Sequence, residues 1–511
     1  MHRPPTAEAG IAEELAAVRP GLLPRYTAEL PGARAAVLTR LWRALAHEPL
    51  PWITGRTPGP HGLALRLADG RTLRGPHADP YATSAYVTAV HLDRRPYEDA
   101  ARLMMALAVP HGTAFAAELA HSAASLALSR AGAEQPRQWP ERDREWEWEQ
   151  RVVDGHPFHP NCRSRPGFSV ADQLAYGPEH GPVVELGTVP VPAADCLVSG
   201  RWPAELRDGD RLLLPVHPWQ ATRVLKRPYG IWCPARPLMS LRTLAVPGGP
   251  HVKTALSARL TSSVRDISVY SVRAAATLSA FAEELAARTD GLLHITRTLG
   301  AATAHSPGLA ALLRESPRQY AAPGEWVLPV AALATTSLPG CPTWLAAFTR
   351  LALTVGLRLL DLGVALEAHG QNLLVVLAAD GTPLRLVYRD LADIRLSPAR
   401  LVRHGITPPG LTGRLLTDDP QALRRKLFGS LVTGALAGTA GSGGTLAAAL
   451  ETVLPDLPAT ADLAFLREHP LPAKALTLMR LSPGRSGDIW TALPRPGSEA
   501  ATVLECGPSG Q

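Results

Sequence analysis

Apolar residues recur along this chain at two spacings, and the switch between them divides it into parts. Over residues 6–17 and 33–46 they return every three to four positions, which predicts helices, and 97–107 and 113–130 are Ala/Leu-rich helical runs. Between these, residues 63–75 alternate apolar with polar around Asp69-Gly70, the pattern of a β-hairpin. Alternation returns at 183–220, where VVELGTVPV and RLLLPVHPWQ predict strands. A long helix is expected from about Ala274 to Arg288, and a strongly apolar one over 343–362. Two strands, 373–377 and 384–388, flank a turn at Asp380-Gly381. Helices are expected over 420–480, broken at TAGSGGT (439–445), which lacks the lysine of a phosphate-binding loop and reads as a flexible link. Residues 291–340 carry little periodic signal, and from 483 a Pro/Gly-rich tail is expected to be partly disordered.

The mixture predicts a mixed α/β chain, and 511 residues predict two to four domains. One boundary is expected near 150, where ERDREWEWE, a charge run with two tryptophans, reads as a solvated helix face. With 46% hydrophobic and 19% charged residues, global disorder is excluded. A formal charge of +7, carried mostly by arginine, suits carboxylates and phosphates. Nucleic acid is not expected, because no Lys/Arg run or interleaved aromatic set is present. Five scattered cysteines give neither a disulfide framework nor a zinc pattern. No run reaches the length of a membrane span and no signal-peptide core opens the chain, so a cytoplasmic protein is expected.

The candidate chemistry lies in four stretches. In KTALSARLTSSVRDIS, Lys253, Ser257, Arg259 and Thr261 share one face of an extended strand, and Thr254, Leu256, Ala258 and Leu260 the other. TSSVRD then predicts a helix entry capped by Thr261, Ser262 or Ser263, with Arg265 in its first turn; free N–H groups, Lys253 and Arg265 would favour an anion there. His156 and His159 each precede proline, which forces an ordered loop, and with Arg163 and Arg165 they make a second candidate anion site. His217 and Trp219 are expected mainly to fix a turn. Ser240, Arg242 and Thr243 place hydroxyls beside a guanidinium. Finally, Asn372 and Asp390 sit at the open end of the 373–388 hairpin, where an amide oxygen and a carboxylate can meet to hold Mg²⁺ beside a nucleotide. Taken alone, HGQN could equally be a capping loop and Arg389-Asp390 a surface pair.

Taken together and in order, GHPFHPNCRSRPGF, LPVHPWQ, SLRTL, KTALSARLTSSVRDIS, EAHGQN and YRDL resemble the IucA/IucC family. These are the NRPS-independent siderophore synthetases of aerobactin, alcaligin, achromobactin and desferrioxamine biosynthesis. The resemblance covers about 150–395, and the C-terminal part would be the family's FhuF-like segment. It implies a cupped hand: a thumb at 1–150, fingers at 151–340 and a palm at 341–511, commonly dimeric. It also implies ATP and Mg²⁺, adenylation of citrate or another polycarboxylate, and capture of the adenylate by an amine or hydroxyl. By resemblance, Lys253, Thr261 and Arg265 contact nucleotide and carboxylate, with Arg265 bridging the attacking carboxylate and the α-phosphate. His159 would contact phosphate with His156 framing the loop, and Arg163, Ser240, Arg242 and Thr243 would lie near the nucleotide. His369 and Gln371 would orient the carboxylate substrate; Glu367, Asn372 and Asp390 would face Mg²⁺ or nucleotide. The chain departs from the pattern at Arg163, where lysine is usual, and lacks a glycine after Asp390. It is also short for the family. A kinase-like phosphotransferase, resting on the Asn372/Asp390 hairpin, and a non-catalytic anion-binding relative are the alternatives.

Overall fold

The structure is a computed structural model and describes residues 6–134, 138–261 and 263–497. It is mixed α/β, as the periodicity predicts. The N-terminal region packs the helices Ala7–Val18, Leu23–His47, Ala100–Leu107 and Gly112–Gly132 with a five-stranded antiparallel sheet between residues 53 and 97. Local chemistry fixes the boundaries. The Thr6 hydroxyl accepts from Ala9 N and the Asp99 carboxylate from Arg102 N, and Gly70 takes φ +88° at the expected hairpin turn. The second half of the Leu23–His47 helix is buried all round instead of along one stripe, so Arg40 and Arg43 go into the interior with it.

The middle of the chain forms a nine-stranded antiparallel sheet. From one edge its strands run Leu197–Gly200, Thr298–Ser306, Leu309–Arg314, His251–Thr254, Thr243–Ala245, Gly230–Pro237, Val184–Pro192, Arg211–Val216 and Arg207–Asp208. The helix Val269–Ala287 covers one end of it. The C-terminal region holds a four-stranded sheet ordered Leu293–Ile295, Pro383–Tyr388, Leu373–Leu377, Trp326–Pro329, packed with the helix Pro342–Leu362 in the largest hydrophobic core. The weakly patterned 291–340 segment therefore serves both sheets.

Five expectations fail in whole or in part, each for a physical reason. Lys253–Thr261 is not one strand: the ladder breaks at Ala255, and Leu256–Leu260 pairs instead with Ser263–Arg265. Within TSSVRD, Ser263–Arg265 is thus a strand, Thr261 stands at φ +55°, and the helix begins at Val269, capped by Ser268. The charge run is not solvated: Trp146, Trp148 and Glu149 of the short helix Trp146–Gln150 are buried, and Trp148 meets Trp139 and Trp326 edge-on at 5.1 and 6.3 Å between centroids. Within the tail, Trp490–Leu493 is a strand paired with Leu471–Lys474; residues 498–511 lie outside the described part. The glycine-rich break is a tight turn with Gly441 at φ +79°, pinned where Gly443 N donates to Asp79 Oδ2 at 2.7 Å. Among the described residues no helix is long and apolar enough to cross a membrane.

Candidate active site

A cleft of about 1490 Å³ opens where the three regions meet. His156, His159, Arg163, Ser240, Arg242, Thr243, Lys253, Thr261, Arg265, Glu367, His369, Gln371, Asn372 and Asp390 all line it. Residues far apart in sequence thus share one cavity, because the HPFHP loop, the central sheet and the 373–388 hairpin all end on it.

The histidines are set by one local device. In His156, His159 and His369 the ring Nδ1 accepts from the backbone N–H two residues on, at Phe158 (3.2 Å), Asn161 (3.0 Å) and Gln371 (3.2 Å). Burial lowers the pKa of all three, that of His159 to about 3, so the rings are neutral. A neutral ring that accepts at Nδ1 carries its proton at Nε2, and each can therefore donate into the cleft. His159 Nε2 is buried and makes no hydrogen bond among the described residues. His217 does the same with Trp219 N at 3.1 Å but lies away from the cleft, as its turn-fixing reading implies.

In the same cleft, Lys253 stands on the His251–Thr254 strand with Thr243 as its cross-strand partner. Its Nζ donates to Asp390 Oδ2 at 2.5 Å, and Arg314 Nη2 donates to Asp390 Oδ1 at 2.9 Å. Asp390 reaches them from a left-handed backbone, φ +76°. Burial opposes both charges. It pulls the Lys253 ammonium down to about 7, against the attraction of Asp390. At Asp390 burial is outweighed by Arg314 and Lys253, which hold the carboxyl well below its usual range. Two cations share one carboxylate, so the ionised Asp390 is the secure member. Sequence reasoning missed Arg314, whose strand showed no motif.

Arg265 sits on the far side of the hairpin turn and donates to Leu260 O (2.9 Å) and Thr261 Oγ1 (2.7 Å). Arg242 does not face open space: its Nη1 donates to the carbonyls of Arg265 (2.5 Å) and Asp266 (3.0 Å), fixing the Arg265 segment. Ser240 Oγ accepts from Thr243 N at 3.1 Å, closing the turn that carries both. Arg163 is likewise turned into protein. Its guanidinium donates to Val153 O (2.6 Å) and Val152 O (2.5 Å) and lies 3.5 Å from Glu179.

On the hairpin side, Arg389 donates from Nε and Nη2 to Gln371 O (3.1 and 2.8 Å), and Glu149 Oε1 accepts from Arg389 Nη1 at 2.6 Å. The other oxygen of Glu149 accepts from Met239 N at 3.0 Å, next to Ser240. A glutamate from the charge run thereby ties two site loops together. Glu367 Oε1 accepts from Lys474 (2.8 Å) and Lys426 (3.4 Å), which hold its pKa near 2 against burial.

Among the described residues no three His, Cys, Asp or Glu side chains gather into a metal-binding group. Both oxygens of Asp390 are engaged by cations, whereas at Glu367 both lysines converge on Oε1. Asn372 Nδ2 lies 3.4 Å from Glu367 O, which places its amide beside that residue. An ion that keeps waters and phosphate oxygens as ligands needs only one or two protein oxygens. Glu367 and Asn372 fit that need better than Asp390 does.

Residues 145–335 match the IucA/IucC family model, and 342–489 match the family described as ferric iron reductase FhuF-like transporter. A citryl-spermidine/3,4-dihydroxybenzoyl-citryl-spermidine:spermidine ligase of Bacillus anthracis is 25% identical over 312 residues, 48% of this chain and 51% of that protein. An N(2)-citryl-N(6)-acetyl-N(6)-hydroxylysine synthase of Vibrio mimicus is 31% identical over 157 residues, 24% of this chain and 26% of that one. The matches thus span about half, or less, of these curated relatives. Solved structures share the fold over nearly the whole chain. Petrobactin biosynthesis protein AsbB of Bacillus anthracis aligns with TM-score 0.76 at 18% identity, covering 92% of this chain and 96% of its own. ATP-bound aerobactin synthetase IucA of Klebsiella pneumoniae aligns with TM-score 0.70 at 18% identity, covering 90% and 98%. Residues 145–335 thus carry the IucA/IucC family pattern, and the chain as a whole shares the architecture of these solved structures.

Proposed function

We propose that the chain is an ATP-dependent ligase that adenylates citrate or a related polycarboxylate and joins it to an amine or hydroxyl. One observation carries the reading: Lys253, Arg265 and Arg314 line a single cleft with His159 and His369, so cations and neutral N–H donors surround one volume. A triphosphate and a polycarboxylate repel strongly in a low dielectric, and fixed positive groups are what bring them together. The related proteins named as citryl ligases, and the ATP named in one structural relative, support the same chemistry.

In this mechanism a carboxylate oxygen attacks the α-phosphorus, an O–P bond forms and diphosphate leaves. The acceptor nitrogen or oxygen then attacks the acyl carbon, the bond to AMP breaks and the acceptor loses a proton. Arg265 bridges the attacking carboxylate and the α-phosphate, and its bonds to Leu260 O and Thr261 Oγ1 aim it. His159 donates to phosphate from Nε2, while His369 and Gln371 orient the acid. Lys253 and Arg314 bind phosphate by exchanging Asp390 for it. Arg242, Ser240 and Thr243 support the nucleotide side by shaping the turn. Glu367 and Asn372 would hold Mg²⁺, which would supply charge neutralisation at the phosphates.

Incubation with ATP, Mg²⁺, citrate and hydroxylamine is expected to release AMP and a hydroxamate. ADP in place of AMP would mean phosphotransfer and overturn adenylation. R265A is expected to lower AMP release at least about 100-fold, the worth of a lost charge contact to the transition state.

A further inference from the structure

One buried guanidinium has no role in the chemistry above. Arg43 is 4% exposed and lines both the cleft and a small side pocket of about 120 Å³. Its Nε donates to Pro80 O at 2.6 Å and its guanidinium stacks on Phe158 at 4.5 Å. Among the described residues its two Nη groups make no hydrogen bond and it has no ion-pair partner. The nearby carboxylates are engaged elsewhere: Glu48 accepts from the amides of Thr477 and Leu478, and Asp79 from those of Tyr81 and Gly443. Neighbouring Arg40, by contrast, is fully used, on Pro157 O, Asp154 O and Cys162 Sγ. Glu48 and Asp79 act on Arg43 only through space and do not overcome the cost of its burial, which a directly bound anion would offset.

Gly434 and Gly438 line the cleft one turn apart on the same helix. A Cβ at Gly434 would lie 3.7 Å from His369 Cβ, and one at Gly438 3.6 Å from Pro157 Cγ. Pro157 adjoins Phe158, on which Arg43 stacks. Two positions without side chains, roughly 5 Å apart along the helix, therefore line the cleft beside His369 and Pro157.

We infer that this end of the cleft is a carboxylate subsite for the acceptor: Arg43 holds the carboxylate of an amino acid, whose amine extends over Gly438 and Gly434 toward His369. The inference rests on the ligase reading and narrows its acceptor from amines in general to amines that carry a carboxylate. Arg43 presents a fork that matches a carboxylate with two parallel bonds.

The test compares matched acceptors that differ only in that group: 2,3-diaminopropionate with ethylenediamine, ornithine with putrescine, and lysine with cadaverine. Amide product is measured for the wild type, R43Q and R43K. The wild type is expected to prefer one carboxylate-bearing member by roughly 10- to 100-fold in kcat/KM, the worth of one charge-assisted pair. In R43Q that ratio falls toward one, and R43K restores part of it. Equal use of both members by the wild type, or an unchanged ratio in R43Q, overturns the subsite. So does a citrate KM that rises in R43Q with hydroxylamine as nucleophile, since the carboxylate at Arg43 would then be the donor's. Hydroxamate formed without any amide from the panel also rejects the subsite and leaves the ligase standing. If no acid yields hydroxamate, the ligase reading fails; equilibrium dialysis with labelled lysine then decides the subsite, which requires weaker retention by R43Q.

Discussion

Arg163 stands among histidines and arginines that read as an anion site, yet its guanidinium faces protein. Its two bonds to the carbonyls of Val152 and Val153, and Glu179 at 3.5 Å, hold the start of the HPFHP loop. A lysine, one point charge on a flexible stem, cannot serve both carbonyls and the glutamate. R163K is therefore expected to lower stability by about 2 kcal/mol, on the scale of a charged hydrogen bond lost from a buried partner. The KM for ATP should change less than threefold. Thermal unfolding and ATP saturation curves check this, and a tenfold KM change with normal stability would put the guanidinium at the phosphates instead. Asp390 makes the opposite case. Removing its charge leaves Lys253 and Arg314 facing each other without an anion. D390N should unfold earlier by about 3 kcal/mol, and added ATP should recover more of that loss than it adds to the wild type. Equal ATP stabilisation of the two proteins would sink the idea that phosphate takes the carboxylate's place.

At the scale of elements, what could be read in the sequence was whatever depends on near neighbours. The 373–388 hairpin, its Asp380-Gly381 turn and the Pro342–Leu362 helix follow from short-range pattern, and so does the position of Asn372 and Asp390 at one end of that hairpin. The strand break at Ala255 could not be read, because an alternating pattern does not record which partner each half takes. Nor could the burial of Trp146–Gln150, since ERDREWEWE has the composition of a solvated face and is buried only by meeting Trp139, Trp326 and Arg389. That short helix links the turn holding Ser240 to the loop holding His369 through Glu149. In E149Q the Arg389 charge loses its partner and Gln371 O its rigid support. A shift of about 1 Å at His369 is worth about 100-fold in rate, so kcat should fall by that order while the KM for ATP, bound on the opposite strands, stays within about threefold. An equal loss in both parameters would mean that Glu149 only stabilises the fold.

Across the whole molecule the chain closes on itself. The Leu476–Leu481 helix and the Trp490–Leu493 strand return to the N-terminal region, where Thr491 Oγ1 donates to His47 O (2.6 Å), Tyr81 Oη to Pro494 O (2.5 Å) and Arg480 Nε to Glu118 (2.9 Å). Glu48 is the centre of this seam: its carboxylate accepts from Thr477 N at 3.1 Å and Leu478 N at 2.7 Å. The sequence hid the closure, because a four-residue strand among prolines and glycines looks like a tail. Burial raises Glu48 to about 7, and the amides and Arg43 pull the other way without overcoming it. Its folded pKa thus exceeds the unfolded value of about 4.3, so between those values the folded chain binds more protons than the unfolded one. Stability from this group is complete below about pH 4 and is lost as pH rises through 7, by an amount on the order of 3 kcal/mol. E48Q keeps an acceptor without a charge to desolvate. It should unfold later than the wild type at pH 8 and lose that advantage at pH 5, measured as the first thermal transition at both values. A wild type that outlasts E48Q at pH 8 would show that the two amides stabilise the carboxylate more than burial penalises it, and the seam would then tighten, not loosen, as pH rises.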